Sequence, residues 1–208
     1  LYIPVHNLLI ASDLHLEKAT SLGERKVGLL PPYDTKDTLL RLAHAIDRFR
    51  PKRLVLLGDT WHDSDGYLRM NSADKEFFLN LIARCETELI VGNHDETIRN
   101  EEGLVMRQTL QISDITLRHD PDHKAKGYQI CGHLHPVARV LQKGRVMRRR
   151  CFLLSEAFCI LPAMGSLAGG LNCLDPVYDQ LMPQTSRRVF VLGQKRIYQI
   201  GFKALIPD

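Results

Sequence analysis

The sequence predicts a four-layer α/β/β/α sandwich, two mixed sheets packed face to face with helices outside them, and three observations carry this. In the first half, short apolar runs alternate with amphipathic helical patterns, the mark of βα units. In the second half, apolar runs follow one another across turn-sized gaps, as in a strand-rich sheet. Polar residues gather directly after the apolar runs, where α/β sheets collect ligands. At 208 residues, 44% of them hydrophobic, the chain is of single-domain size, and residues 1–208 are read as one domain.

Leu8 to Ser12 is a continuous apolar run ending at Asp13, and residues 1–4 can pair with it across a turn near His6 and Asn7, forming a hairpin. Leu39, Leu42, Ala43, Ile46 and Phe49 recur at helical spacing, with Asp34 or Thr35 as N-cap and Pro51 as the stop. Arg53 to Leu57 reads as a buried strand delivering Gly58 and Asp59. Ser72 to Cys85 is a second helix, with Phe77, Phe78, Leu81, Ile82 and Cys85 on one stripe. Thr87 to Val91 is the third strand, delivering Gly92. Beyond residue 104, the runs 115–118, 128–131, 137–141, 146–154, 158–161, 189–192 and 197–202 read as antiparallel strands. Glycines 165, 169 and 170 follow no strand-to-helix phosphate motif and shape a turn.

No apolar run approaches the roughly 20 residues of a bilayer span, so no membrane association is expected. Cysteines 85, 131, 151, 159 and 173 show no zinc-ribbon or redox spacing and suit a reducing, cytoplasmic setting. The chain opens on Leu1 rather than Met, which leaves its native N-terminus open. Net charge is only +4, yet Lys143, Arg145, Arg148, Arg149 and Arg150 stand within eight positions. The cluster suits a phosphate backbone and, equally, a solvated strand edge that discourages edge-to-edge pairing.

Five polar clusters stand at strand ends: Asp13-Leu14-His15, Gly58-Asp59, Gly92-Asn93-His94-Asp95, Arg118-His119 and Gly132-His133-Leu134-His135. Singly, each is an ordinary turn or a surface histidine. Together they bring carboxylate, amide oxygen and imidazole to one sheet edge without thiolate, a donor set that suits Mn, Fe or Zn. Asp13, His15, Asp59, Asn93, His119, His133 and His135 are therefore candidate ligands of two divalent ions. Two such ions, about 3.5 to 4 Å apart in hydrolases that use them, need a bridging carboxylate, and Asp59 is the natural one. Two carboxylates against two dications leave a site charge of about +2, which attracts phosphate and lowers the pKa of bound water towards ~7. His94, beside Asn93, is the candidate general acid, with Asp95 expected to orient its ring and raise its pKa. Lys18, His62, Arg69, Arg145 and Arg148 are candidate substrate contacts. Trp61 and Tyr67 could stack on bases, with core packing as the alternative.

These clusters, in this order, resemble the five motifs of the calcineurin-like metallophosphoesterase superfamily, whose fold is a double-sheet sandwich flanked by helices. The resemblance implies one metal on Asp13, His15, Asp59 and His135 and the other on Asp59, Asn93, His119 and His133. Over most of the chain, the segments Ala11-Ser12-Asp13-Leu14-His15-Leu16-Glu17-Lys18, Pro31-Pro32-Tyr33-Asp34-Thr35, Arg149-Arg150-Cys151-Phe152, Leu161-Pro162-Ala163-Met164-Gly165 and Gly169-Gly170-Leu171-Asn172 are similar to the ligase-associated DNA damage response phosphoesterases. That likeness implies a manganese-dependent phosphodiesterase or DNA endonuclease of DNA repair, in which a metal-bridging hydroxide attacks the phosphodiester in line. It also implies functional association with a DNA ligase and a helicase. The stretch Asp59-Thr60-Trp61-His62-Asp63 departs from the superfamily, because the Arg that often grips phosphate there is missing. Lys18, Arg69 or His62 would take over its work.

Two other functions stay open. One is the same chemistry on a small phosphoester, such as a cyclic nucleotide or a nucleotide-lipid pyrophosphate. The other is a protein-binding module that keeps the fold without catalysis, against which the intact ligands and His94 argue. The Leu- and Val-rich strands of the second half suit a homodimer interface as well as a core.

Overall fold

The computed structural model describes residues 1–26, 30–95, 104–142 and 144–208. Its first sheet contains β1 (Tyr2–Ile3), β2 (Leu8–Ser12), β3 (Arg53–Leu57), β4 (Glu86–Ile90) and β5 (Val105–Arg107), in that spatial order. β1 and β2 form the expected antiparallel hairpin, and β2 to β5 run parallel. Helices α1 (Lys18–Glu24) and α2 (Asp34–Phe49) connect β2 to β3; α3 (Gly66–Arg69) and α4 (Ser72–Ile82) connect β3 to β4. The two-residue period of the strands divides the core. Leu9, Ala11, Leu54 and Leu56 pack under Leu39, Leu42, Ile46 and Phe78 of the helices, whereas Leu8, Ile10, Val55 and Leu57 face the second sheet.

The second sheet contains β6 (Thr109–Ile112), β7 (Ile115–Arg118), β8 (Tyr128–Cys131), β9 (Val137–Gln142), β10 (Arg145–Leu154), β11 (Phe158–Ile160), β12 (Arg188–Leu192) and β13 (Ile197–Ile200). The spatial order is β13-β12-β10-β11-β8-β7-β6, with β9 on the first half of β10. An all-antiparallel second half is corrected at its centre, where β8 runs parallel to both β7 and β11. Parallel pairing puts the C-terminal ends of β7 and β8 on one edge, so His119 and His133, which follow them, become neighbours. The far face of this sheet is covered by 3₁₀ turns at Pro176–Gln180 and Gln184–Ser186, with Tyr178 and Met182 over Cys151, Leu153 and Ile160. The fourth layer is thus made of short 3₁₀ helices.

Element ends differ from the sequence expectation by a residue or more. The N-cap of α2 is Tyr33, because the side chains of Asp34 and Thr35 are committed to the amides of Ala19 and Glu17. Asn71 caps α4 by accepting from the Asp74 amide, and the helix stops at Ile82, short of Cys85. The third strand starts at Glu86 and ends at Ile90. α1 and α3, both short, were not legible from apolar periodicity. All five cysteines are free, with the sulfurs of Cys151 and Cys173 3.5 Å apart in the core. Lys143 lies outside the described residues. No described helix is long and apolar enough to cross a membrane.

Candidate metal centre

Because β2, β3 and β4 are parallel, their C-terminal ends carry Asp13, Asp59 and Asn93 to one edge, and β7 and β8 bring His119, His133 and His135 from the facing sheet. The chain turns sharply there. Ten described non-glycine residues have positive φ, and five of them are Asp13, His15, Asp59, His133 and His135. L-residues avoid that region, and such backbone strain clusters where function holds it in place. The turns lock onto each other: the amides of Asp13 and His15 donate to the carbonyls of Gly58 and Asp59 at 3.1 and 2.9 Å. Gly58 has φ +75°, and a side chain on it would run into the His119 ring. A side chain on Gly132 would collide with Ser12 and the Asp13 carboxylate.

The donor atoms form three overlapping groups: Asp13, His15 and His135; His15, Asp59 and His94; Asp59, His119 and His133; within each, the atoms lie inside 4.8 Å of one another. His135 Nε2 is 3.0 Å from Asp13 Oδ1 and 3.3 Å from His15 Nε2. His119 Nε2 is 3.4 Å from Asp59 Oδ2, 3.1 Å from Asn93 Oδ1 and 3.2 Å from His133 Nδ1. Its other nitrogen, Nδ1, faces the Leu57 carbonyl at 3.3 Å, a contact that fixes the ring and leaves Nε2 directed at Asp59. Asp13 and Asp59 are nearly solvent-free, and the Ser12 hydroxyl and the His133 amide donate to Asp13.

The electrostatics fit cations. Burial pushes the His15 pKa down to about 3 against the pull of Asp13 and Asp59, so its ring is neutral and has a lone pair to give. Burial also acts to lower His119, but Asp59 and Asp13 outweigh it and raise its pKa to about 9. Asp59 itself is lowered to about 2, with burial opposing and His119 prevailing. The carboxylates therefore create a well of negative potential that a proton on His119 partly fills and that a divalent ion suits better. Imidazole nitrogens meeting tip to tip, as in His15–His135 and His119–His133, have the same need for a shared cation.

His94 sits beside these groups. Its amide donates to Asp59 Oδ1 at 3.0 Å, its Nε2 is 3.8 Å from Asp59 Oδ2, and its side chain is 37% exposed. The His62 ring stacks on it at 5.5 Å and 19°, and His15 meets it edge-on at 5.4 Å. Burial and then the charge of Lys18 push His62 down to about 4, so Lys18 and His62 both belong to the surroundings of His94.

The Asp95 expectation is corrected, and the remaining expected contacts lie elsewhere in the fold. Asp95 does not hold the His94 ring: it is fully buried and accepts from the amides of Thr60, Trp61 and Gly92. Burial pushes its carboxyl up to about 7 while those amides pull the other way. Arg69 is taken by Asp63 at 2.7 Å, with Glu24 at 3.6 Å, so its guanidinium braces α3 against α1. Arg145 and Arg148 lie on the hairpin beyond His135, and Arg148 binds the Gly170 carbonyl and faces Asp208. Trp61 and Tyr67 are packed edge to face in the core, Trp61 also against Phe78. Two residues were missed: Glu17, buried at φ +63° and bonded to Thr20 and Thr35, and Asp63, which accepts from Ser21 and Arg69. A second carboxylate two residues beyond His15 was the available signal for Glu17.

No protein-family model matches the chain, and no curated protein sequence matches it. Among solved structures, a nuclease of Pseudomonas putida, MPE, superposes with a TM-score of 0.71 at 23% identity, over 96% of this chain and 90% of that one. YfcE, a phosphoesterase from E. coli, aligns at 14% identity with a TM-score of 0.43, over 96% of both chains. A conserved uncharacterized protein of Streptococcus pneumoniae, described as a predicted phosphoesterase, aligns at 13% with a TM-score of 0.35, over 96% and 92%. The chain therefore has the fold of the Pseudomonas putida nuclease, two mixed sheets flanked by helices.

Proposed function

We propose that this protein is a dinuclear metal-dependent phosphodiesterase that cleaves nucleic acid, DNA foremost, in DNA repair. The observation that carries this is the convergence of Asp13, His15, Asp59, His119, His133 and His135, all but His119 on strained backbone, beside the partly exposed His94. That a nuclease uses the same fold accords with a polymeric diester as substrate. One cation would rest on Asp13, His15, Asp59 and His135, the other on Asp59, Asn93, His119 and His133. Two divalent ions, manganese ahead of iron or zinc, supply the charge that draws a phosphate in and the Lewis acidity that activates water.

The chain's own residues do the rest. His94 holds a proton at Nε2 and gives it to the departing oxygen, which then leaves as an alcohol. Its backbone is fixed by Asp59 and its ring by His15 and His62. The neutral His62 offers a ring N–H to a phosphate oxygen, and Lys18 adds positive charge where the superfamily has its Arg. The buried Trp61 and Tyr67 support this loop from below. A DNA ligase and a helicase are the implied functional partners, and the free thiols suit the cytoplasm.

Turnover of bis(p-nitrophenyl) phosphate, of the monoester and of supercoiled plasmid, with and without Mn²⁺, tests the reading in wild type, Asp59→Asn and His94→Ala. Mn-dependent cleavage of diester and plasmid is expected, with Asp59→Asn losing both. His94→Ala should lose at least about a hundredfold on plasmid, where the leaving alkoxide needs a proton, and less on p-nitrophenolate, which does not. No turnover with any divalent metal would sink the enzyme; diester turnover without plasmid nicking would favour a small phosphoester.

A further inference from the structure

Eleven of the 28 Lys and Arg residues and none of the 24 Asp and Glu fall within residues 137–155 and 180–207, leaving seventeen cations against 24 carboxylates elsewhere. The near-neutral total hides a strongly basic end. Those stretches contain two hairpins, β9–β10 and β12–β13, and between them lies a trough of about 560 Å³. Val140, Met147 and Val191 line it, with Tyr198, 47% exposed, as a wall. Arg149, Lys195 and Arg196 stand among the same lining residues, all three exposed. Arg149 donates to the carbonyl of Arg148, and the Arg196 guanidinium lies 5.8 Å from the Tyr198 ring centre.

A solvated strand edge needs charge but no apolar trough, whereas here Leu141, 61% exposed, lines the trough beside the half-buried Val140 and Met147. Nor does the trough belong to the metal centre, since β9 leaves His135 and runs out to Gln142, roughly 20 Å at about 3.3 Å per residue. Only an extended ligand could engage both places.

We infer that the trough is a second binding site, which holds an unpaired nucleic-acid strand continuing from the metal centre. Phosphates would meet Arg149, Lys195 and Arg196, and bases would lie on the apolar floor and on Tyr198. A duplex presents its phosphates but keeps its bases stacked inside, so it could use the rim and not the floor; an unpaired strand uses both. This site rests on the nucleic-acid reading above and extends it to a named surface.

The test is the full-length triple variant Arg149→Ala/Lys195→Ala/Arg196→Ala, with Tyr198→Ala beside it. Affinity for a fluorescent unpaired oligonucleotide of about 20 nucleotides, long enough for the footprint of such grooves, is measured across salt concentrations, with turnover of that oligonucleotide and of bis(p-nitrophenyl) phosphate. The triple variant should raise KM for the oligonucleotide about tenfold and reduce the salt slope by about 2, near 0.7 per phosphate contact. Tyr198→Ala should weaken binding at least about fivefold with the slope unchanged. Small-diester turnover and Tm should stay at wild-type values in both. Wild-type binding and cleavage of the oligonucleotide by the variants would overturn the trough and leave the phosphodiesterase standing. An equal loss on a duplex of the same length would overturn the unpaired strand. A wild type that turns over the small diester but neither binds nor cuts nucleic acid would overturn both readings.

Discussion

Asp59 and Asp95 stand close together and have opposite surroundings. Asp59 faces imidazoles, whereas both oxygens of Asp95 are spent on backbone amides of the loop that carries Asp59. Asp95 therefore positions the centre through the chain. Asp95→Asn would aim an amide N–H at backbone N–H groups in a buried pocket, at a cost of about 2 to 3 kcal/mol. The expected result is a Tm lower by roughly 5 to 10 °C, measured by circular dichroism. A shifted pH–rate profile at unchanged Tm would instead restore Asp95 to the His94 ring. Gly132 makes a parallel case of close approach. Gly132→Ala must push back Ser12 or the Asp13 carboxylate, so calorimetric titration should find Mn²⁺ affinity reduced at least about tenfold, the scale on which outer contacts of a ligand act.

Among the elements, the parallel strands β3, β4 and β5 are clamped to one another by charge. Arg53 of β3 and Arg107 of β5 both reach Glu88 of β4, at 2.9 and 2.6 Å. Burial acts to raise the Glu88 carboxyl, but the Arg107 and Arg53 hydrogen bonds outweigh it and hold it below the usual carboxylate range. A carboxylate lowered in the folded state stabilises above its unfolded pKa, about 4.3, and loses that contribution as pH falls through the folded value. Glu88→Gln should thus cost about 1 kcal/mol at pH 7, with the gap to wild type closing below about pH 4 in urea titrations. A gap that persists into acid would mean packing, not charge, joins the strands.

Taken whole, the protein is a sandwich whose two sheets meet at one polar edge, so any ion bound there bridges both sheets. Ligands that bind only the folded state stabilise it by mass action, about 2.7 kcal/mol at a hundred times Kd. Saturating Mn²⁺ should therefore raise Tm by roughly 5 to 10 °C, chelator should reverse this, and Asp59→Asn should not respond. An identical shift in Asp59→Asn would locate the ion elsewhere. The split of charge, with the carboxylate-poor end on the two hairpins, also gives the molecule a direction in an anionic field.

Strand ends and their polar clusters were legible because period-two alternation, glycine turns and apolar runs are local: Leu8 to Asp13, Arg53 to Asp59 and Tyr128 to His135 each announce strand and ligand together. The candidate ligands were named from the same local signals, and the fold brings their side chains together. What Asp95, Arg69, Trp61 and Tyr67 do was not legible, since each is decided by the surface opposite, which comes from another part of the chain. Equally hidden were the parallel setting of β8, the contact between His62 and His94, and the trough between two hairpins that are far apart in sequence, the first ending at Leu154 and the second beginning at Arg188. By itself the sequence determined which chemistry arrives at each strand end, because side-chain type and backbone period are properties of a few adjacent residues. Only the tertiary structure decided which of those groups face one another, because burial and hydrogen-bond partners are set by packing between segments distant along the chain.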